Sequence, residues 1–326
     1  MKLRILGGAE IKALLPMADC IALMRTTMIA VSEGRARIPL RSVLPVSNGG
    51  LLGNMPGYLA EPECFGVKLL SLFPGNPAAG LSSHLGLVLL FEPKHGLPVA
   101  LLDAAELTAI RTAAVSGLAT QLLAREDAGD LAILGSGEQA HSHLAAMLAV
   151  RPIKRVRVWS RTAAHAAAFA EEQSPAHGLN IEIAASVQAA VDGGDLICTV
   201  TGSPEPILRG EWITPGAHLN VVGASRIAAA EIDAAAVAKS RFFVDFRGSA
   251  EHEAGELRRA IDAGVVSQAH VLGEIGEVAN GAVAGRIGGD DITLFKSLGV
   301  SAEDLAAAHF VLQQAEARGI GQVVEL

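Results

Sequence analysis

The sequence predicts an α/β chain in two parts: a domain built on a doubly wound parallel sheet, and an α+β domain whose strands are largely antiparallel. Three observations predict it. The first is the segment Asp130-Leu-Ala-Ile-Leu-Gly135-Ser-Gly137-Glu-Gln139-Ala140, a short apolar run that breaks into a glycine turn and opens a helix-like stretch. In such a turn the first glycine permits the tight bend and the second lets a pyrophosphate approach the helix N-terminus, while Ala140 in the third position still allows close helix–strand packing. The second is the alternation, from Asp130 to about Asp245, of short β-like runs with alanine-rich helical ones, the pattern of a Rossmann-type sheet. The third is that residues before about 120 lack this alternation and carry several β-like runs instead.

The expected parallel strands are Leu131–Leu134, Val156–Trp159, Ile181–Ala184, Leu196–Thr201, His218–Val222 and Phe242–Phe246. In the first part, Met17–Ser32 reads as an amphipathic helix, followed by strand-like runs at Ile38–Val46, Phe65–Phe73 and Gly86–Phe91. Glu92-Pro-Lys-His-Gly96 reads as a hairpin turn into Leu97–Leu102. Asp103-Ala-Ala-Glu106 has capping-box spacing and opens a long helix, Ala104–Ala124. A last helix, Ala302–Arg318, lies beyond the alternating region and returns to the first domain, so residues 1–121 with 301–326 are expected to form one domain and 122–300 the other.

A chain of 326 residues exceeds the roughly 250 to 300 at which single cores stop growing. Half of it is hydrophobic and 18% charged, with a net charge of −8, which gives no reason to expect nucleic acid or an acidic membrane as partner. Cys20, Cys64 and Cys198 lie far apart without disulfide or metal spacing, as expected of small buried hydrophobes in a reducing cytoplasm. No basic-then-apolar leader is read at the N-terminus, and polar or glycine residues interrupt every apolar run before about 18 residues. A cytoplasmic location is the expectation. None of the ten histidines falls in a metal-binding spacing, and no nucleophile elbow is present. The chemistry is therefore expected from a cofactor, with no metal.

Three cations stand where their neighbours are apolar. Lys68 interrupts Phe65-Gly-Val-Lys-Leu-Leu-Ser-Leu-Phe73, Arg111 sits in Leu107-Thr-Ala-Ile-Arg-Thr-Ala-Ala114, and Arg41 in Ile38-Pro-Leu-Arg-Ser-Val-Leu44. Each has a plain reading: an edge-strand lysine reaching water, a helix-surface arginine, and a solvated strand face. Read together, three cations from separate elements of one domain form a clamp for a carboxylate. Both readings are open at this point.

These segments resemble the ornithine cyclodeaminase/mu-crystallin family. The resemblance rests on Arg41 in its Pro-Leu-Arg context, Phe65-Gly-Val-Lys68 with Phe73-Pro-Gly-Asn76, Thr108-Ala-Ile-Arg-Thr-Ala-Ala114, Gly135-Ser-Gly-Glu-Gln-Ala140 and Asp291-Ile-Thr-Leu-Phe-Lys-Ser-Leu-Gly299, in that order and nearly end to end. The family holds ornithine and lysine cyclodeaminases, an archaeal-type alanine dehydrogenase and reductases of 2-imino acids, and its fold joins a substrate and dimerisation domain to a Rossmann domain. The resemblance implies that Arg41, Lys68 and Arg111 hold the substrate carboxylate, with Lys68 and Arg111 catalytic and Arg111 also facing the cofactor. It assigns Ser83, Gly135, Gly137, Glu138 and Gln139, the segment Ser160-Arg161-Thr162, Thr199, Thr201 and the stretch Val222-Gly223-Ala224-Ser225 to the cofactor. Ser297 is assigned to the cofactor and Leu298 to the substrate. It also implies a homodimer.

Two local features refine this expectation. The cyclodeaminases of the family carry an essential aspartate in the turn where this chain has Ser225, so the resemblance points away from cyclodeamination and toward reduction of an imine. After the second strand stands Ser160-Arg161-Thr162, with no acidic residue to bond a ribose diol; NADP is expected over NAD. The function expected is NAD(P)H-dependent reduction of a 2-imino acid, cyclic such as 1-pyrroline-2-carboxylate or open-chain such as iminosuccinate, to the L-amino acid. An amino-acid dehydrogenase of the alanine type, an ornithine cyclodeaminase, and a crystallin-like protein that binds NADP without turnover are the alternatives.

Overall fold

The structure, a computed structural model, describes residues 2–82 and 84–325 and divides into two compact units, residues 1–112 with 300–326 and residues 113–299. The first unit holds an eight-stranded sheet: β1 (Lys2–Leu6), β2 (Ala36–Arg37), β3 (Ser42–Pro45), β4 (Leu51–Ala60), β5 (Glu63–Leu72), β6 (His84–Phe91), β7 (Pro98–Asp103) and, at the far end of the chain, β16 (Gln322–Glu325). Its order is β16-β1-β7-β6-β5-β4-β2, with β3 also on β4; all pairs are antiparallel except β1 with β7. Register places Met55, Lys68, Val88 and Leu102 in one row across four strands, and all four are buried.

Helices Met17–Ser32 and Ser301–Arg318 pack in this unit, the latter against β4, β5 and β6. Gly57 and Gly66 are register partners; a Cβ on Gly57 would collide with Ser301, and one on Gly66 would collide with the Leu89 carbonyl and press on Leu305. Those two bare positions seat the first turn of Ser301–Arg318 directly on the strands. The consequence is that Asp304 of that turn reaches Lys68, two residues along β5 from Gly66 on the same face.

The second unit contains β8 (Asp130–Leu134), β9 (Arg155–Trp159), β10 (Ile181–Ile183), β11 (Leu196–Thr199), β12 (His218–Val221), β13 (Ser240–Val244), β14 (Val271–Glu274) and β15 (Ile292–Lys296). All eight run parallel in the order β10-β9-β8-β11-β12-β15-β13-β14. The chain winds outward from β8 in one direction and from β11 in the other, so the topological switch lies between those strands, where a doubly wound sheet opens its ligand crevice. The expected Rossmann-type sheet is the sheet observed.

Several expectations need correction. Ile38–Val46 is not one strand: residues 38–41 lie outside the ladder between β2 and β3, and Pro39 lacks the N–H that a continuous strand would donate. The run expected at Leu196–Thr201 ends at Thr199, because the Thr201 N–H turns to the Glu231 carboxylate (2.7 Å). Phe242–Phe246 is shifted to Ser240–Val244, since Asp245 caps the Phe246 N–H (2.8 Å) and a new helix begins at Arg247. Strands β1, β2, β4, β14, β15 and β16 and the 3₁₀ turns were not expected at all. The long helix Ala104–Leu123 opens as anticipated, with Asp103 Oδ1 accepting the Glu106 N–H at 2.9 Å.

Candidate active site

The first unit brings Lys68 and Arg111 to a single carboxylate. Lys68 is 1% exposed, and its Nζ donates to Asp304 Oδ1 at 2.9 Å; Arg111 Nε donates to the same oxygen, also at 2.9 Å, while Arg111 Nη1 pairs with Glu303. The plain readings fail here: neither cation reaches water. Arg41 stands just before β3, outside the strand ladder, and is half-buried. Burial drives the Lys68 ammonium down to about 8, with Asp304 opposing the fall. Burial also works against the Arg111 guanidinium, but Asp304 and Glu303 outweigh it and keep it charged. For Asp304, Arg111 and Lys68 outweigh burial and hold the carboxyl below its usual range.

Glu303 and Asp304 were absent from the expected site. Their signal was available: two adjacent acids in Val300-Ser-Ala-Glu-Asp-Leu-Ala-Ala-Ala308, the same kind of anomaly that singled out Lys68. A lysine ammonium has three donor protons and a guanidinium five, so donors remain on both groups after these bonds. The arrangement is a preorganised pair of cations with capacity for one more anion, suited to a carboxylate.

The second unit builds the glycine loop as expected. Gly135 adopts φ +122°, a conformation side chains rarely take, and a Cβ there would lie 2.7 Å from the Val200 carbonyl oxygen. Gly137 is the N-cap of helix Glu138–Val150, with nothing within 4 Å of where its Cβ would stand. Ala140 is fully buried. The first glycine therefore serves the turn and the second leaves open space at a helix N-terminus of 13 residues, which fits a dinucleotide pyrophosphate. Glu138 and Gln139 form the first two helical positions, and Gln139 Oε1 is buried without a hydrogen-bond partner. Behind them His143 bonds the Gln139 carbonyl (2.8 Å) and the Ser116 hydroxyl (2.9 Å), and burial pushes it down to about 4, leaving it neutral.

At the end of β9 the Ser160 hydroxyl accepts from Ser136 of the glycine loop at 3.0 Å, and Arg161 and Thr162 are exposed. Ser83 lies outside the described residues. Thr199 and Thr201 converge on Glu231, which was not anticipated: its Oε2 accepts from the Thr199 hydroxyl (2.9 Å) and the Gly223 N–H (2.6 Å), and its Oε1 from the Thr201 N–H and hydroxyl (both 2.7 Å). One carboxylate thus ties together the turns that follow β11 and β12. Burial raises its pKa, opposed by Lys296 and the Thr201 donors. Lys296 pairs with buried Glu256 at 3.1 Å and donates to the Ala224 carbonyl, holding the segment Val222-Gly223-Ala224-Ser225 from beneath. Ser297 is buried with its hydroxyl unpartnered, and the N–H groups of Leu298 and Gly299 donate to Asp245. These contacts tie down the loops at the carboxyl end of the sheet.

The chain is similar to known proteins along nearly its whole length. The ornithine cyclodeaminase/mu-crystallin family profile matches residues 2–319. The ketimine reductase mu-crystallin of Mus musculus is 41% identical over 280 residues, 86% of this chain and 85% of that protein. The Thermococcus litoralis Δ1-pyrroline-2-carboxylate reductase, solved with NADH and L-proline, superposes with a TM-score of 0.95 at 35% identity, covering 98% of this chain and 99% of the other. An archaeal alanine dehydrogenase dimer with bound NAD superposes with a TM-score of 0.93 at 29% identity over the full length of both.

Proposed function

This chain belongs to the ornithine cyclodeaminase/mu-crystallin family, and from that premise we propose that it is a nicotinamide-dependent reductase of a 2-imino acid, with a cyclic ketimine of the 1-pyrroline-2-carboxylate type as substrate and an L-amino acid as product. The observation that carries this reading is the pairing of Lys68 and Arg111 on one buried carboxylate, with donors left over. The nicotinamide, when bound, supplies the hydride to the imine carbon. Arg111 and Lys68 take the substrate carboxylate, and the fixed geometry of a guanidinium fork orients it. Their positive charge stabilises the carboxylate next to the reacting carbon. Lys68, drawn down to about 8, holds a proton it can release to the imine nitrogen near neutral pH. Hydride to carbon and a proton to nitrogen together convert the C=N bond to an amine.

For the cofactor, NADPH is the proposed choice. No acidic side chain follows β9, and exposed Arg161 can meet a 2′-phosphate. A preference of about tenfold to a hundredfold is expected, since each 1.4 kcal/mol is a factor of ten. The test is kcat/KM for NADPH and NADH with 1-pyrroline-2-carboxylate, and with pyruvate plus ammonia as the dehydrogenase control. Arg161→Ala should erase the preference and Ser160→Asp invert it; turnover confined to pyruvate and ammonia would replace the ketimine reading with the alanine dehydrogenase one.

The proposed assembly is a homodimer through the first unit. Register puts Leu44, Leu52, Leu69, Leu85 and Leu87 on the sheet face opposite Lys68, and all five are exposed, Leu44 at 59% and Leu87 at 46%. A sheet face carrying so many exposed leucines needs a cover, and a second copy presents the same self-complementary face. Wild-type protein should scatter light as twice 33.6 kDa, and Leu69→Glu with Leu87→Glu should halve that mass; an unchanged mass would place the interface elsewhere.

A further inference from the structure

Asp304 occupies an unusual position in the cation cluster. Its Oδ1 alone accepts from both Lys68 and Arg111, and its Oδ2 is buried with no hydrogen-bond partner. An ion pair kept only for stability has no reason to carry a bare carboxylate oxygen, because the unsatisfied acceptor is costly and a well-packed apolar replacement often serves as well. Asp304 also comes from a different part of the chain from its partners, the first turn of Ser301–Arg318, seated on β4 and β5 at Gly57 and Gly66. On the reading of this site as an imino-acid reductase, we propose that Asp304 is its positioning residue: it sets where the Lys68 ammonium and the Arg111 guanidinium stand and keeps Lys68 supplied with the proton that the imine nitrogen requires.

The charged and titratable groups around Lys68 are Asp304 and Glu303 from Ser301–Arg318 and Arg111 from Ala104–Leu123, with Cys20 of Met17–Ser32 beside Arg111 and Glu303. Burial pushes the Cys20 thiol up, so it stays neutral across the working range. Arg111 and burial favour loss of the Lys68 proton, and the carboxylates oppose it, Asp304 foremost. The sign follows. With Lys68 near 8, kcat/KM falls as pH rises through that value; removing the Asp304 charge moves the fall to lower pH. A shift of one unit lowers kcat/KM about tenfold at pH values alkaline of the wild-type midpoint, and by less between the two midpoints.

The experiment has two readouts. In the first, kcat/KM is followed from pH 6 to 10 for wild type, Asp304→Asn and Lys68→Arg. The expected results are an alkaline limb near 8 in wild type, a limb at lower pH in Asp304→Asn, and no limb in Lys68→Arg, whose guanidinium does not titrate there. In the second, which requires no turnover, the Lys68 Nζ of ¹⁵N-lysine-labelled protein is titrated by NMR and assigned by its loss in Lys68→Arg. An Nζ midpoint unchanged in Asp304→Asn, or an alkaline limb that persists in Lys68→Arg, would overturn the proposal. Should Asp304→Asn not fold, Asp304→Ser takes its place in both readouts, with the same results expected and the same results overturning the proposal. Absence of turnover on every imino acid with the Nζ shift present would sink the reductase reading and leave the role of Asp304 toward Lys68 standing.

Discussion

Arg111→Ala is expected to lose both activity and stability, and more stability than Lys68→Ala. Removing Arg111 strips Glu303 of its guanidinium partner and takes one of two donors from Asp304, both fully buried. Breaking a buried pair from one side costs about 3–5 kcal/mol, because the remaining charge is left without compensation. Lys68→Ala leaves Asp304 bound to Arg111 and Glu303 undisturbed, so its stability loss is smaller. For catalysis, loss of a charge-assisted donor at a desolvated site lowers kcat/KM by roughly a hundredfold to a thousandfold in either variant. Urea unfolding combined with steady-state kinetics separates the two effects. Equal stability of Arg111→Ala and wild type would show that the Glu303 and Asp304 contacts contribute little to folding, and near-normal kcat/KM in Lys68→Ala would remove that residue from the substrate clamp.

The second large effect concerns the glycine loop, where two glycines that look equivalent in the sequence should respond differently. Gly135→Val must place a side chain at φ +122° and 2.7 Å from a backbone oxygen of Val200, and strained backbone of this kind costs about 1–3 kcal/mol before the collision is counted. The expected outcome is a clear fall in Tm together with loss of cofactor binding. Gly137→Ser meets no such obstacle: its φ is −88°, the space around its Cβ is open, and serine is a favoured helix N-cap. Its fold should hold, while the added side chain occupies the approach to the helix N-terminus and weakens dinucleotide affinity at least about tenfold, a change of 1.4 kcal/mol. Differential scanning calorimetry and cofactor fluorescence titration check both. If Gly137→Ser binds the dinucleotide as wild type does, the pyrophosphate does not lie against this turn.

Much of this was legible in the chain itself. The glycine loop, the alternation that makes the parallel sheet, and the capping residue Asp103 are local signals, since turn chemistry and strand or helix period are set within a few residues. Lys68 and Arg111 were legible for another local reason, a charge standing in an apolar run. Strand β4 was not, because Gly53, Pro56 and Gly57 break its β pattern, and pairing with β5 along its whole length, and with β2 and β3 on its other side, makes it a strand. The same holds for β14 and β15, short segments whose pairing partners lie across the sheet. What the sequence by itself determined was which residues could not sit comfortably alone: glycines that need unusual backbone or close approach, and cations among hydrophobes. What tertiary structure alone decided was their company. Asp304 lies 236 residues from Lys68 and Glu231 is 32 from Thr199, and no periodicity reports on a pairing at that distance. A buried charge demands a partner on physical grounds, but which carboxylate supplies it depends on how helix Ser301–Arg318 seats on two bare glycines, a matter of packing.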